Sequence, residues 1–178
     1  MSQLSSYYSF ALEHKKNHRC GGVPYDYGDV LKILTKAVRP VRILELGTGV
    51  GYSTACFAEA DKKVKIDTID QDGEHLAIAQ SKWVELGIEK SITTFCDKAE
   101  AILPELHDQY DMIFFDGYDP SLKFLLHFER LLKNTGLLIT ANLYLKDETG
   151  GRYMRHITDE RRWSTSVFED TAISIKML

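Results

Sequence analysis

The sequence predicts a doubly wound α/β protein: a mainly parallel, seven-stranded sheet with helices on both faces, finished by a C-terminal antiparallel hairpin. Three observations predict it. Helix-like and strand-like segments alternate from Arg42 onward. An apolar strand, Ile43-Leu44-Glu45-Leu46, runs into Gly47-Thr48-Gly49-Val50-Gly51 and opens a helix at Tyr52-Ser53, the layout of a nucleotide-binding corner. Two strand-like runs, Trp163 to Phe168 and Thr171 to Met177, are separated only by Glu169-Asp170, and strands so close in sequence must pair antiparallel.

In chain order, Leu4 to His18 reads as a helix whose basic end, Lys15-Lys16-Asn17-His18-Arg19, suits the helix dipole. His14 and His18 stand at i, i+4 spacing and could share a metal, but two ligands do not close a site, so the simpler reading is a solvated helix end. Cys20-Gly21-Gly22-Val23-Pro24 breaks the pattern. A second helix runs from Tyr27 to Val38, with Val30, Leu31, Ile33, Leu34, Ala37 and Val38 on its buried side. Val64 to Asp70 is a strand ending in an acid. Asp72 N-caps a helix closed by Gly87. Ile92 to Phe95 is a strand, and Asp97 with Glu100 has the spacing of a capping box. Met112-Ile113-Phe114-Phe115 is a continuous apolar run, as expected of a parallel strand buried on both faces. Asp119-Pro120 places an N-cap and an N1 proline before the helix from Leu122. Leu137 to Ile139 is the next strand, ending at Ala141-Asn142, and a short helix lies around Tyr153 to Ile157.

At 178 residues, without repeats or Pro/Gly/Ser linkers, the chain is expected to form one domain, with N-terminal helices over 1–40 and the core over 41–178. A net charge of −4 argues against a broad nucleic-acid-binding face. The three cysteines, Cys20, Cys56 and Cys96, are widely spaced and form no C-x-x-C pair, which favours free thiols and a cytoplasmic setting. No apolar run reaches the roughly 20 residues needed to span a bilayer, and no signal peptide is visible.

The glycine loop is not a dinucleotide fingerprint. Counting G-x-G-x-x-G from Gly47 puts Tyr52 at the third glycine, and counting from Gly49 puts Thr54 there. The pattern present is E-x-G-x-G-x-G with an acid, Asp70, at the end of the second strand. It resembles that of class I S-adenosylmethionine-dependent methyltransferases, whose Rossmann-like fold ends in an antiparallel hairpin. Glu45-Leu46-Gly47-Thr48-Gly49-Val50-Gly51-Tyr52-Ser53, Thr68-Ile69-Asp70-Gln71-Asp72, Tyr110 to Asp116 and Phe168 to Ser174 narrow the resemblance to the catechol and caffeoyl-CoA O-methyltransferase family, its bacterial members in particular.

That resemblance implies a cofactor site for S-adenosylmethionine. Gly47, Gly49 and Tyr52 belong to the loop packed on its methionine part, Ser53 touches the carboxylate, and Glu45 supports the amino group. Asp70 takes both ribose hydroxyls, offering only acceptors to two donors. Gln71 lies beside the adenine, Asp97, Lys98 and Ala99 line its other edge, and Val23 closes over the cofactor. The family's metal-dependent members hold a divalent cation, usually Mg²⁺, through an Asp after strand four and an Asp-Asn pair after strand five. Here those positions are Asp116, Ala141 and Asn142, so the missing middle ligand implies a metal dependence that is weak or absent. Asp119 stands where the family often has a lysine base. Tyr118 is placed to stack on adenine or line the acceptor pocket, and Tyr144 is a second candidate wall. The expected activity is O-methylation of a small hydroxylated acceptor, with Asp116, Asp119 and Asn142 nearest the chemistry. A tRNA or RNA methyltransferase and a cofactor-binding domain without catalysis stay open as alternatives, as does a homodimer.

Overall fold

The computed structural model describes residues 3–18, 20, 22–118, 120–144 and 151–178. Two helices, α1 (Gln3–His18) and α2 (Gly28–Val38), precede β1 (Arg42–Leu46). Then come α3 (Tyr52–Ala60), β2 (Lys65–Asp70), α4 (Gly73–Leu86), β3 (Ile92–Cys96), the short α5 (Ala99–Ile102), β4 (Tyr110–Phe115), α6 (Leu122–Leu131) and β5 (Leu132–Thr140). The chain closes with α7 (Gly151–Ile157), β6 (Trp163–Phe168) and β7 (Thr171–Lys176). The seven strands lie in the order β3-β2-β1-β4-β5-β7-β6, parallel from β3 to β5 and antiparallel at β7 and β6. This is the sheet the sequence predicts. Among the described residues no helix is long and apolar enough to cross a membrane.

The apolar run of β4 follows from its place in the sheet. Successive side chains on a strand point to opposite faces, and here both faces are covered. Met112 and Phe114 join a core built with α1 to α4, while Ile113 and Phe115 join one built with α6 and α7. Ile43 and Leu44 divide in the same way. A strand with water on one side would alternate polar and apolar residues; this one has no polar face to offer.

Asp72 caps α4, accepting the Glu74 and His75 amides at 3.0 and 3.1 Å, and Gly87 ends it in the left-handed conformation at φ 68°. Three expectations need correction. Asp97 and Glu100 form no capping box: α5 has only four residues, its N-cap is Lys98, and Asp97 turns its carboxylate to the Lys98 amide at 2.7 Å. The cap of α6 is Ser121; Asp119 lies outside the described residues. On α2 the face that packs inward is Gly28, Leu31 and Thr35, while Ile33 is 67% exposed. That helix is seated by Gly28, which fits under Tyr52 and Cys56 of α3, and this turns Ile33 outward.

All three glycines of the loop after β1 adopt positive φ: 94° at Gly47, 50° at Gly49 and 86° at Gly51. They serve different needs. A Cβ on Gly51 would stand 2.7 Å from the Trp83 indole nitrogen, which donates to the Gly51 carbonyl at 3.0 Å. A Cβ on Gly47 would meet the Asp116 carbonyl at 2.6 Å, so that glycine lets the ends of β1 and β4 close on each other. Gly49 has nothing within 4 Å of its Cβ direction. Gly51→Ala therefore destabilises the fold by about 2–4 kcal/mol in urea unfolding, combining backbone strain with overpacking. A loss below about 0.5 kcal/mol, the range of neutral surface changes, would contradict this packing account.

Candidate active site

In an open α/β sheet, ligands bind outside the carboxyl ends of the strands where strand order reverses. Here that point lies between β1 and β4. The strand ladders continue past it: the Gly47 amide donates to Ile69 at 3.0 Å, Asp116 to Leu46 at 2.8 Å, and Ala141 to Phe115 at 2.8 Å. These bonds hold the loops after β1, β4 and β5 around one cleft of about 1070 Å³. That lies just above the roughly 300–1,000 Å³ usual for one small ligand.

The cleft gathers most of the residues expected from sequence. Val23, Gly47, Gly49, Tyr52, Ser53, Asp70, Gln71, Asp97, Lys98, Ala99, Asp116, Tyr118 and Asn142 all line it. Glu45 does not. It has no exposed surface and stands behind the glycine loop, where its carboxylate accepts hydroxyl hydrogen bonds from Ser53 at 2.6 Å, Thr68 at 2.7 Å and Thr54. Tyr144 is not among the lining residues. Sequence reasoning missed Tyr25, Asp26, His75, Phe124 and Asp170, which also line the cleft. They come from the segment after α1, from α4, from α6 and from the hairpin turn, and no local pattern marks them.

Asp70 is fixed by two backbone donors, the Gly49 amide at 2.8 Å and the Asp72 amide at 2.9 Å, one to each carboxylate oxygen. Each oxygen keeps a lone pair for a further donor. Asp116, at the end of β4, accepts from the Asn142 amide at 2.8 Å. Asn142 sits at φ 59°, a left-handed conformation that asparagine tolerates and that turns its side chain back across the strand ends.

The charge of the cleft is one-sided. Asp26, Asp70, Asp72, Asp97, Glu100, Asp116 and Asp170 line it, against Lys98 as the single lysine or arginine among the described lining residues. Asp116 keeps some surface toward the cleft, yet its surroundings desolvate it. Burial is the largest cause holding its carboxyl well above the usual range; the negative charge of Glu45 adds to this and the Asn142 hydrogen bond opposes it. Burial likewise lifts Glu45 from 4.5 to about 7, against the pull of its three hydroxyl donors.

The residues fit S-adenosylmethionine. The molecule carries a sulfonium and an ammonium, so a carboxylate-lined cleft favours it, Gly49 leaves the backbone open to a close-packed ligand, and Asp70 presents the two acceptors a ribose diol requires. They fit a divalent cation less well. Asp116 and Asn142 hydrogen-bond to each other, and Ala141 offers a methyl group where a third oxygen would be needed.

A folded value above the unfolded one has a defined consequence for Glu45. Between about pH 4.5 and 7 the folded chain holds a proton that the unfolded chain has lost, so stability falls as pH rises through that window. The loss from Glu45 is on the order of 3 kcal/mol. Urea unfolding of the ligand-free protein across this range should show the fall, and Glu45→Gln should flatten it, leaving the part due to Asp116. An unchanged slope in the variant would contradict the buried, partly protonated Glu45.

Comparison with known proteins agrees with the fold. The family model described as O-methyltransferase matches residues 7–149. A catechol O-methyltransferase from Niastella koreensis is 30% identical over 162 residues, 85% of this chain and 72% of that protein. The O-methyltransferase hkm8 from Aspergillus hancockii is 33% identical over 116 residues, covering 62% of this chain and 46% of that protein, so the chain spans about half of that relative's length. The crystal structure of the O-methyltransferase TomG from Streptomyces achromogenes, in complex with S-adenosylmethionine, superposes with a TM-score of 0.82 over 100% of this chain and 91% of that one. At 19% identity that likeness is one of fold. The matched family model, covering most of the chain, and the coverage of the Niastella enzyme establish that this protein belongs to the O-methyltransferase family.

Proposed function

We propose that this protein moves the methyl group of S-adenosylmethionine to the hydroxyl oxygen of a small acceptor, with Asp116 beside the reacting atoms and without a divalent metal between Asp116 and Asn142. The observation that carries this is the cleft at the β1–β4 switch point, where Gly49 leaves the backbone open and Asp70 presents a fixed carboxylate. The Niastella relative is named for catechol methylation and the Streptomyces structure holds S-adenosylmethionine; both support the same reading here.

The cofactor, when bound, supplies a methyl group already activated on a sulfonium. What falls to the protein is alignment of acceptor oxygen, methyl carbon and sulfur, which supplies much of the rate. The glycine loop and Asp70 hold one partner. Tyr118, Tyr25 and Phe124 border the rest of the cleft and offer flat apolar surface to an aromatic acceptor. As the new C–O bond forms and the C–S bond breaks, the hydroxyl proton must leave. Asp116 takes it: burial raises its carboxyl above that of an ordinary aspartate, which makes the carboxylate a stronger base. Asn142 holds that carboxylate in place. With those carboxylates lining it, the cleft repels a phosphate backbone, which supports a small acceptor over RNA.

Ala141 favours one other reading, a cofactor-binding protein without turnover. Formation of S-adenosylhomocysteine with a panel of phenols and catechols separates the two. On an accepted substrate, Asp116→Asn should lower kcat by about 10²–10⁴-fold, the usual share of a general base, while S-adenosylmethionine still binds. Adding Mg²⁺ to chelator-treated enzyme should leave turnover unchanged. Full activity in Asp116→Asn would overturn the role given to Asp116, and activity that appears only with Mg²⁺ would overturn the metal-free reading.

A further inference from the structure

A second cluster of side chains lies at the edge of the cleft and has no part in the methyl-transfer reading. His14 near the end of α1, Cys20 just beyond it and His75 in the first turn of α4 bring one ligand atom each to within 4.8 Å of one another. His14 is not the solvated residue its helix-end position suggests. It is 8% exposed, and its Nε2 has no hydrogen-bond partner among the described residues. Its ring stacks on His18 at 4.3 Å and meets the His75 ring edge-on at 5.3 Å. Gly22 keeps the space open: a Cβ there would stand 3.3 Å from His75 Cε1 and 3.9 Å from Cys20 Sγ. Cys20 is a free, half-buried thiol.

We propose that His14, Cys20 and His75 form a Zn²⁺ site that fastens the segment after α1 to the start of α4. Two imidazoles and a thiolate are borderline-to-soft donors of the kind zinc takes, whereas Mg²⁺ and Ca²⁺ require oxygen. On binding, the Cys20 thiol releases its proton to solvent and the His14 nitrogen gains the partner it lacks, where an unpaired buried polar atom calls for one. Tetrahedral zinc, with Zn–S near 2.3 Å and Zn–N near 2.0–2.1 Å, places its ligand atoms roughly 3.3–3.6 Å apart. The cluster must therefore contract by about 1 Å, and Cys20, outside any helix or strand, can supply the movement. Asp72 stands 3.4 Å from His75 Nδ1. A carboxylate in that place orients a metal-bound imidazole. The fourth position is left to water. Because Gly22, Val23 and His75 also line the cleft, zinc here ties down one of its walls.

The test uses the full chain without a histidine tag, reduced and stripped with chelator, then titrated with Zn²⁺ and separately with Co²⁺ as a spectroscopic probe. One equivalent of zinc per chain, a rise in Tm on adding it, and thiolate-to-cobalt absorption are expected. Cys20→Ser, a near-isosteric change, should lose the absorption and the Tm rise, Cys96→Ser should keep both, and His75→Gln should lose stoichiometric zinc. Absence of saturable zinc binding would overturn the proposal, as would stoichiometric zinc and cobalt absorption that persist in Cys20→Ser. None of these readouts depends on methyl transfer.

Discussion

A carboxylate without exposed surface lies beneath the glycine loop, and much of the site depends on how its charge is tolerated. Removing Glu45 from water is expensive. Three hydroxyls offset part of that cost, Ser53 and Thr54 at the start of α3 and Thr68 on β2. Hydrogen bonds to a charged group are worth about 1.5–3 kcal/mol each, so the arrangement holds only while β1, β2 and α3 keep their places. Thr48 extends it, its hydroxyl 2.6 Å from that of Thr68, tying the loop itself to the buried acid. The start of α3 is thereby fixed, and with it the direction in which Gly49 faces the cleft.

The same charge shapes the chemistry above it. Glu45 is the second-largest influence on Asp116, after burial, and both push the Asp116 carboxyl upward. One buried acid thus holds the loop and raises the Asp116 carboxyl at the end of β4. The remaining carboxylates around the cleft act in the same sense, drawing in a cation and raising the cost of an anion. Asp70, held by two backbone amides, needs no reorganisation to meet a ligand, which is what a preorganised site offers.

Much of the fold was legible in the sequence because the signals are local. Met112 to Phe115 has the continuous apolar run expected of a strand covered on both faces, Asp72 and Gly87 bracket α4 by their own chemistry, and Glu169-Asp170 is too short to join parallel strands. Where reading failed, a local pattern lacked its tertiary context. The Asp97–Glu100 spacing suits a capping box, but only four residues of helix follow. Ile33 fits an apolar stripe on α2 until Gly28 seats that helix differently. Glu45 was legible as an unusual acid on an apolar strand; that it faces hydroxyls behind the loop was not, because Thr68 reaches it only through strand pairing. Asp170 and Tyr25 reach the cleft from opposite ends of the chain, joined by a hydrogen bond from Tyr25 to Thr171 at 3.1 Å. His14 belongs with these: the sequence pairs it with His18, while folding brings it His75 and Cys20.

The central claim is that the cleft between β1 and β4 holds S-adenosylmethionine through the glycine loop and Asp70. Calorimetric titration of S-adenosylmethionine into the protein and into Asp70→Ala tests it most directly. The account predicts saturable one-to-one binding that Asp70→Ala weakens by at least about tenfold, the equivalent of about 1.4 kcal/mol for lost ribose contacts. Absence of binding at millimolar ligand, or an affinity unchanged in Asp70→Ala, would contradict it.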